Sequence, residues 1–241
     1  MLKAIFLDLD DTLLDFHRAE AAALTRTLEQ LGIPPTADTL ARYSAINAQQ
    51  WRLLEEGKFT RDEILTRRFD ILFGELGVAQ SSALARQTYE HFLAQGHFFL
   101  PGAEELLQTL AAQYALYLVS NGTAAVQAGR IASAGIAPYF RAIFISEEMG
   151  LYKPQKEFFD ACFAAIPGLR REETLLIGDS LTSDIRGGNN AGIRTCWFNP
   201  HARPRMDGIH ADYEVSALDQ IPPLLERIAP SFAPAPARER P

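Results

Sequence analysis

Two aspartates follow a short apolar run near the start of the chain. Asp8 and Asp10 stand in the stretch IFLDLDDT, which begins at Ile5. Such a run is typical of a fully buried strand of a parallel sheet, and the crevice of an open α/β sheet lies beyond the carboxyl ends of its strands. Carboxylates this close repel each other unless a cation or a shared proton reduces the repulsion. Mg²⁺ is a suitable cation, because it prefers oxygen ligands. The alternative is a pair of solvated loop acids.

Polar groups also follow three later apolar runs. They are Ser120 with Asn121 after one run, Lys153 in the loop after the next, and Asp179 with Asp184 after a third. Singly, each is typical of ordinary structure: a turn, a surface lysine or a helix N-cap. Their joint order favours one site for phosphoryl transfer, which needs a nucleophile, a cation, donors for phosphate oxygens and positioning.

An α/β pattern must position these groups. Apolar runs alternate with helical patterns, which predicts right-handed crossovers and a parallel sheet covered by helices on both faces, a Rossmann-like fold. The predicted strands after the first are 115–119, 142–145, 174–177, 193–198 and a short one near 213–215, followed by a last helix near 221–228.

One long helical stretch interrupts that pattern. Residues from about Phe16 to Gly96 show no strand pattern but the patterns of four amphipathic helices, and Thr60 with Glu63 makes a capping box before the third helix. Four such helices form a bundle with its own core. We therefore predict an α/β core of residues 1–15 and 98–228, an inserted helical cap of 16–97, and a disordered tail of 229–241 rich in proline and alanine.

Composition narrows the class of protein. The 241 residues are 47% apolar with a formal net charge of −7, which supports a substantial core and argues against binding to a nucleic-acid polymer. No apolar run approaches the length of a membrane span, and the start of the chain lacks a signal-peptide pattern. The two cysteines show no metal spacing. We predict a soluble cytoplasmic protein, monomer or homodimer, whose partner is a small phosphorylated metabolite.

The ordered motifs resemble those of the haloacid dehalogenase-like (HAD) hydrolase superfamily over nearly the whole chain. The matches are DLDDT at 8–12 to the first motif DxDxT, Ser120 to the hydroxyl of the second, Lys153 to the lysine of the third, and GDSLTSD at 178–184 to the fourth motif GDxxxSD. The helical insert resembles that superfamily's cap. More narrowly, SNG at 120–122, ISEEMGLYKP, GGNNAGIRTCWFN and the cap residues Asn47 and Trp51 resemble the YjjG-type pyrimidine 5'-nucleotidases.

The resemblance implies an aspartyl-phosphate mechanism. Asp8 attacks phosphorus, while Asp10 protonates the leaving oxygen and then deprotonates the water that hydrolyses the intermediate. The implied cofactor is Mg²⁺ on the Asp8 carboxylate, the Asp10 main-chain carbonyl and the Asp179 carboxylate. Because a halide needs no general acid, Asp10 favours phosphate-ester hydrolysis over dehalogenation.

The remaining motif residues are implied to bind phosphate and to support that binding. Ser120 and the amide of Asn121 bind phosphate oxygens, and Lys153 neutralises charge on the nucleophile and the phosphate. Asp184 orients Lys153 or a metal-bound water from outside the ligand set.

The leaving group is less constrained by the sequence. Phe16, Trp51 and Arg68 are candidate contacts to a base or sugar, and the alternative is aromatics in the cap's own core with an arginine on its surface. The resemblance points to pyrimidine nucleoside monophosphates such as UMP and dUMP. A sugar-phosphate or phosphoglycolate-type phosphatase is the alternative within the class. A non-catalytic phosphate or Mg²⁺ sensor is the alternative outside it, and would bind ligand without releasing phosphate.

Overall fold

The computed structural model describes residues 1–232, which fall into two compact units. The α/β unit contains Met1–Leu13, Phe99–Asn121 and residues 137–232. The helical unit contains Leu14–Phe98 and Gly122–Ile136. No helix in the described part of the chain combines the length and apolarity needed to cross a bilayer.

Six parallel strands form the sheet of the α/β unit. They are β1 (Ala4–Leu7), β2 (Ala115–Ser120), β3 (Phe140–Ile145), β4 (Thr174–Gly178), β5 (Arg194–Phe198) and β6 (Tyr213–Val215), in the order β3-β2-β1-β4-β5-β6. Leu7 of β1 lies beside Leu118 of β2 and Ile177 of β4, so the carboxyl ends of the three central strands are level. The predicted parallel α/β fold is confirmed.

Ten α-helices lie among residues 1–232. They are α1 (Phe16–Gln30), α2 (Ala37–Glu55), α3 (Arg61–Leu76), α4 (Ser82–Leu93), α5 (Ala103–Ala111), α6 (Ala124–Ala134), α7 (Ser146–Met149), α8 (Lys156–Ala164), α9 (Arg186–Ala191) and α10 (Ile221–Ile228). Strands and helices of the α/β unit share a buried core in which Phe6 of β1 packs with Phe158 and Phe159 of α8. Burial of these rings stabilises the sheet that carries the site.

The helical unit is a bundle of α1 to α4 together with α6. Its buried core includes Leu24 and Leu28 of α1, Tyr43 of α2 and Phe69 of α3. The capping box predicted at Thr60 is present, because the Thr60 side chain accepts from the Glu63 amide and the Glu63 carboxylate accepts from the Thr60 amide. These contacts fix where α3 begins.

Local features differ from the sequence expectations at several places. The third strand begins at Phe140, two residues before the predicted start, and the predicted loop after it opens with the four-residue helix α7. The chain from Leu181 to Ile185 forms a π-helical turn that carries Asp184. Helix α6, expected in the core range 98–228, groups with the helical unit. Ala229–Phe232, expected to be disordered, form a 3-10 turn with Phe232 buried, and the rest of the expected tail lies outside the described residues.

Candidate active site

The centre of the site is Asp8, one residue beyond the end of β1. Its amide donates to the carbonyl oxygen of Ile177 at 3.0 Å, which continues the ladder between β1 and β4. The side chain is buried, with 6% of the residue exposed. Its Oδ2 accepts a hydrogen bond from Thr12 Oγ1 at 3.3 Å, and its Oδ1 accepts one from Lys153 Nζ at 2.6 Å. The carboxylate is therefore held in one orientation at the level edge of the three central strands.

Lys153 joins two acids in the interior of the α/β unit. Its ammonium donates to Asp8 Oδ1 at 2.6 Å, to Asp184 Oδ1 at 2.7 Å and to the carbonyl oxygen of Val119 at 2.9 Å. Only 1% of the residue is exposed. Burial opposes its charge, but Asp184 and Asp8 outweigh burial and raise the pKa of Lys153 above its usual range. The lysine therefore carries a fixed positive charge beside Asp8.

The loop after β2 supports Lys153 from its main chain. The Asn121 side chain donates to the Lys153 carbonyl oxygen and accepts from the Lys153 amide, each at 2.8 Å. Ser120, the last residue of β2, is 1% exposed. The sequence predicted only that the main-chain amide of Asn121 binds phosphate. It did not predict that the Asn121 side chain holds the main chain of Lys153.

A third acid completes the cluster. Asp8, Asp179 and Asp184 each offer a carboxylate oxygen, and these three oxygens lie within 4.8 Å of one another. Asp179 follows β4, and Asp184 is fully buried with its Oδ2 accepting from the Ser180 amide at 3.1 Å. Such hard oxygen donors suit Mg²⁺.

The electrostatics of the cluster also suit a divalent cation. Burial, with the charges of Asp184 and Asp10 added, raises the pKa of Asp8 to about 7 although Lys153 opposes the shift. Burial, Asp184 and Asp8 likewise raise the pKa of Asp179 well above its usual range. The positive charge of one lysine does not offset the mutual repulsion of these carboxylates, so a cation would stabilise their ionised forms.

Comparison with known proteins identifies the family. The model of the haloacid dehalogenase-like hydrolase family matches residues 2–192. The chain belongs to this family. The predicted membership is confirmed, and the protein is an enzyme of the hydrolase class.

Several known proteins are similar to this chain along nearly all of its length. A relative named as a HAD-hydrolase, YfnB of Bacillus subtilis, is 44% identical over 91% of this chain and 93% of its own. A crystal structure of YfnB bound to magnesium superposes with a TM-score of 0.90 over 93% of this chain and 98% of that one. The pyrimidine 5'-nucleotidase PynA of Streptococcus pneumoniae is 39% identical, covering 93% and 95%, and the pyrimidine 5'-nucleotidase YjjG of Escherichia coli is 32% identical, covering 92% and 96%.

Asp10 lies on the loop that carries the first motif of this hydrolase. It is partly exposed, and its charge contributes to the raised pKa of Asp8. The next residue, Asp11, has a φ of 56° in the left-handed region, which aspartate tolerates better than most residues. Because β1 ends at Leu7, Asp8 and Asp10 both lie beyond the strand, on this loop.

The three candidate contacts to the leaving group lie in the helical unit. Phe16 is partly buried against the bundle core, and the guanidinium of Arg61 lies 5.6 Å from the ring centre of Trp51. Arg68 is only 3% exposed, since its Nη1 donates to Asn47 Oδ1 at 3.0 Å and its Nε to the Leu65 carbonyl oxygen. The alternative given in the sequence analysis placed Arg68 on the surface of the cap, and its burial differs from that. A role of Phe16, Trp51 and Arg68 in binding substrate stays a prediction.

Gly178 makes room for Asp184, and its replacement by alanine tests that space. A Cβ at Gly178 would lie 2.3 Å from Cγ and Oδ2 of Asp184, so the acid that pairs with Lys153 must move. We expect Gly178→Ala to lower kcat by ~10-fold or more and to cost about 1–3 kcal/mol of folding free energy, as overpacking does. Thermal unfolding and phosphate release measure the two effects. Gly74→Ala is the control, because a Cβ there meets nothing within 4 Å. Wild-type kcat and stability in Gly178→Ala would show that the site accommodates the methyl group.

The raised carboxyl pKa values predict a pH-dependent effect of the metal on stability. The pKa of Asp8 rises from 3.8 to about 7, so between these values the folded protein without metal holds more protons than the unfolded chain. The free energy of unfolding contributed by this group therefore falls as pH rises from about 4 to 7. Because a cation binds the ionised carboxylates, we expect MgCl₂ to raise the Tm more at pH 8 than at pH 5.5. An equal rise at both values, or the same rise in Asp179→Asn, would contradict this.

Proposed function

We propose that this hydrolase is a Mg²⁺-dependent phosphatase that dephosphorylates pyrimidine nucleoside 5'-monophosphates such as UMP and dUMP. The observation that carries the phosphatase activity is the contact of Lys153 with both Asp8 and Asp184, next to Asp179. A buried nucleophile, a fixed cation and acids that suit a divalent metal are the parts that phosphoryl transfer requires.

The reaction begins with in-line attack of an Asp8 carboxylate oxygen on phosphorus. Because Lys153 contacts Oδ1 of Asp8, its positive charge lowers the repulsion between the Asp8 carboxylate and the anionic phosphate. Asp10 gives its proton to the departing alkoxide and then takes a proton from the water that hydrolyses the aspartyl phosphate. Ser120 and the amide of Asn121 donate hydrogen bonds to the phosphate oxygens.

The implied cofactor has a defined set of candidate ligands. The carboxylates of Asp8 and Asp179 and the main-chain carbonyl of Asp10 would hold Mg²⁺, while Asp184 holds Lys153 in place. When bound, the ion adds positive charge that stabilises the phosphate and the ionised nucleophile. The structure of YfnB, a relative 44% identical, is bound to magnesium, which supports Mg²⁺ as the ion.

The substrate class rests on the relatives. PynA and YjjG, both named pyrimidine 5'-nucleotidases, match more than nine-tenths of this chain, and the sequence motifs resemble the same group. The sugar-phosphate alternative has weaker support, since a glyceraldehyde 3-phosphate phosphatase of Pyrococcus furiosus is 29% identical over 94% of the chain.

A phosphate-release assay over a panel of small phosphate esters tests the proposal. We expect kcat/KM for UMP and dUMP to exceed that for purine nucleotides and for sugar phosphates by at least ~10-fold, which corresponds to about 1.4 kcal/mol of transition-state discrimination. Preference for glyceraldehyde 3-phosphate or phosphoglycolate would favour the sugar-phosphate alternative. Binding of Mg²⁺ or phosphate without release from any ester would favour a sensor.

A further inference from the structure

An arginine outside the four motifs contacts the candidate metal ligand Asp179. Arg203 lies in the segment that follows β5, and its Nη2 donates to Asp179 Oδ2 at 2.9 Å and to the Asp179 main-chain oxygen at 3.2 Å. Trp197 of β5 donates through Nε1 to the same main-chain oxygen at 2.8 Å. The side chain and the main chain of Asp179 are therefore held by one guanidinium.

The main chain of Arg203 is itself anchored by a buried residue. Asn199, which is 2% exposed, accepts from the Arg203 amide at 2.8 Å and donates to the Arg203 carbonyl oxygen at 3.0 Å. It also donates to Glu214 Oε1 of β6 at 2.8 Å. Although 46% of the Arg203 side chain is exposed, its main chain is fixed to the sheet edge. A guanidinium on an anchored segment is a better orienting group than one on a loose loop.

Asp179 needs such a hold because its acidic neighbours repel it. The negative charges of Asp184, Asp8 and Asp11 all act on its carboxylate. Repulsion of this kind favours rotation of the side chain away from the cluster, which would remove one oxygen from a divalent ion. Arg203 occupies Oδ2, and the carboxylate keeps a second oxygen for a ligand bond.

We propose that Arg203 is a positioning residue that holds Asp179 in the orientation in which it ligates the divalent cation. This inference rests on the proposed function, because it concerns the same metal site. Partners that orient a metal-binding carboxylate typically change metal affinity by about 10–100-fold when they are removed. Since this ion pair is partly exposed to solvent, we expect an effect near the lower end of that range.

Calorimetric titration of the full chain with MgCl₂, without substrate, tests the inference. We expect Arg203→Ala to weaken Mg²⁺ binding by ~10-fold, with kcat at saturating Mg²⁺ within about twofold of wild type and the half-saturating Mg²⁺ concentration raised to match. Arg203→Gln, which retains N–H donors, should recover part of the affinity. Arg205→Ala is the matched control, because Arg205 lies on the same segment and pairs with Glu214 instead.

The possible outcomes separate this inference from the function on which it rests. Equal Mg²⁺ affinity in Arg203→Ala and Arg205→Ala would overturn it, and tighter binding in Arg203→Ala would show that the arginine competes with the cation. A wild-type protein that binds no Mg²⁺ would overturn the proposed function and this inference together. Unchanged thermal unfolding of the metal-free Arg203 variants would support a role in the site over a role in folding.

Discussion

Replacing Asp8 with asparagine is expected to abolish phosphate release. An amide oxygen is a poor nucleophile, and the variant keeps a side chain of nearly the same shape in the same place. We expect kcat to fall by at least roughly 10⁴-fold, since loss of a covalent nucleophile removes the pathway through the intermediate. A coupled phosphate assay with UMP measures the loss. Intact-protein mass after acid quenching should detect a phosphate adduct in the wild type and none in the variant.

Stability separates loss of chemistry from loss of fold in this variant. Asp8→Asn removes one buried carboxylate from the cluster, while Lys153 keeps its contact with Asp184 at 2.7 Å. Because burial and like charges disfavour the ionised Asp8, we expect the metal-free variant at pH 8 to have a Tm at least equal to that of wild type. Retained turnover in a variant whose mass shows no deamidation would remove Asp8 from the role of nucleophile.

The α/β architecture could be predicted because its signals are local. Buried strands are short apolar runs, and a polar residue follows each of the six. The last strand, Tyr213–Val215, and the last helix, Ile221–Ile228, have the predicted bounds. Helix α6 shows the limit, because its pattern places it between two strands but its packing groups it with the helical unit. Choice of packing partner depends on contacts distant in sequence, which periodicity does not encode.

The same distinction applies to the site. Residues at strand ends could be singled out, since parallel strands bring their carboxyl ends to one edge, and the structure brings Lys153 to both Asp8 and Asp184. Arg203 follows no strand end directly and matches no motif, and its contact with Asp179 depends on the path of an irregular segment fixed by Asn199. Arg68 had no sequence signal for burial, because a charged residue enters a core only where partners exist.

Replacing Asp10 with asparagine should cut turnover of nucleotides by ~10²-fold or more. The ribose oxygen is a poor leaving group, so its departure needs a proton, and the asparagine amide does not supply one. In the proposed ligand set Asp10 offers Mg²⁺ only its main-chain carbonyl, so we expect the affinity for Mg²⁺ to stay within about threefold of wild type by calorimetry. Retained metal binding with lost turnover would separate Asp10 from the candidate ligands Asp8 and Asp179.

The choice of leaving group tests the two roles assigned to Asp10. An aryl phosphate releases a stable phenolate, so attack by Asp8 needs little general acid catalysis. Asp10→Asn should therefore slow this step far less with an aryl phosphate than with UMP. Hydrolysis of the aspartyl phosphate still needs a base for water, so the variant should give a rapid burst of phenolate followed by slow turnover, with the phosphorylated protein accumulating. The burst should equal about one phenolate per protein chain. If the variant hydrolyses both esters at the wild-type rate with no burst, Asp10 is neither the acid nor the base of this reaction.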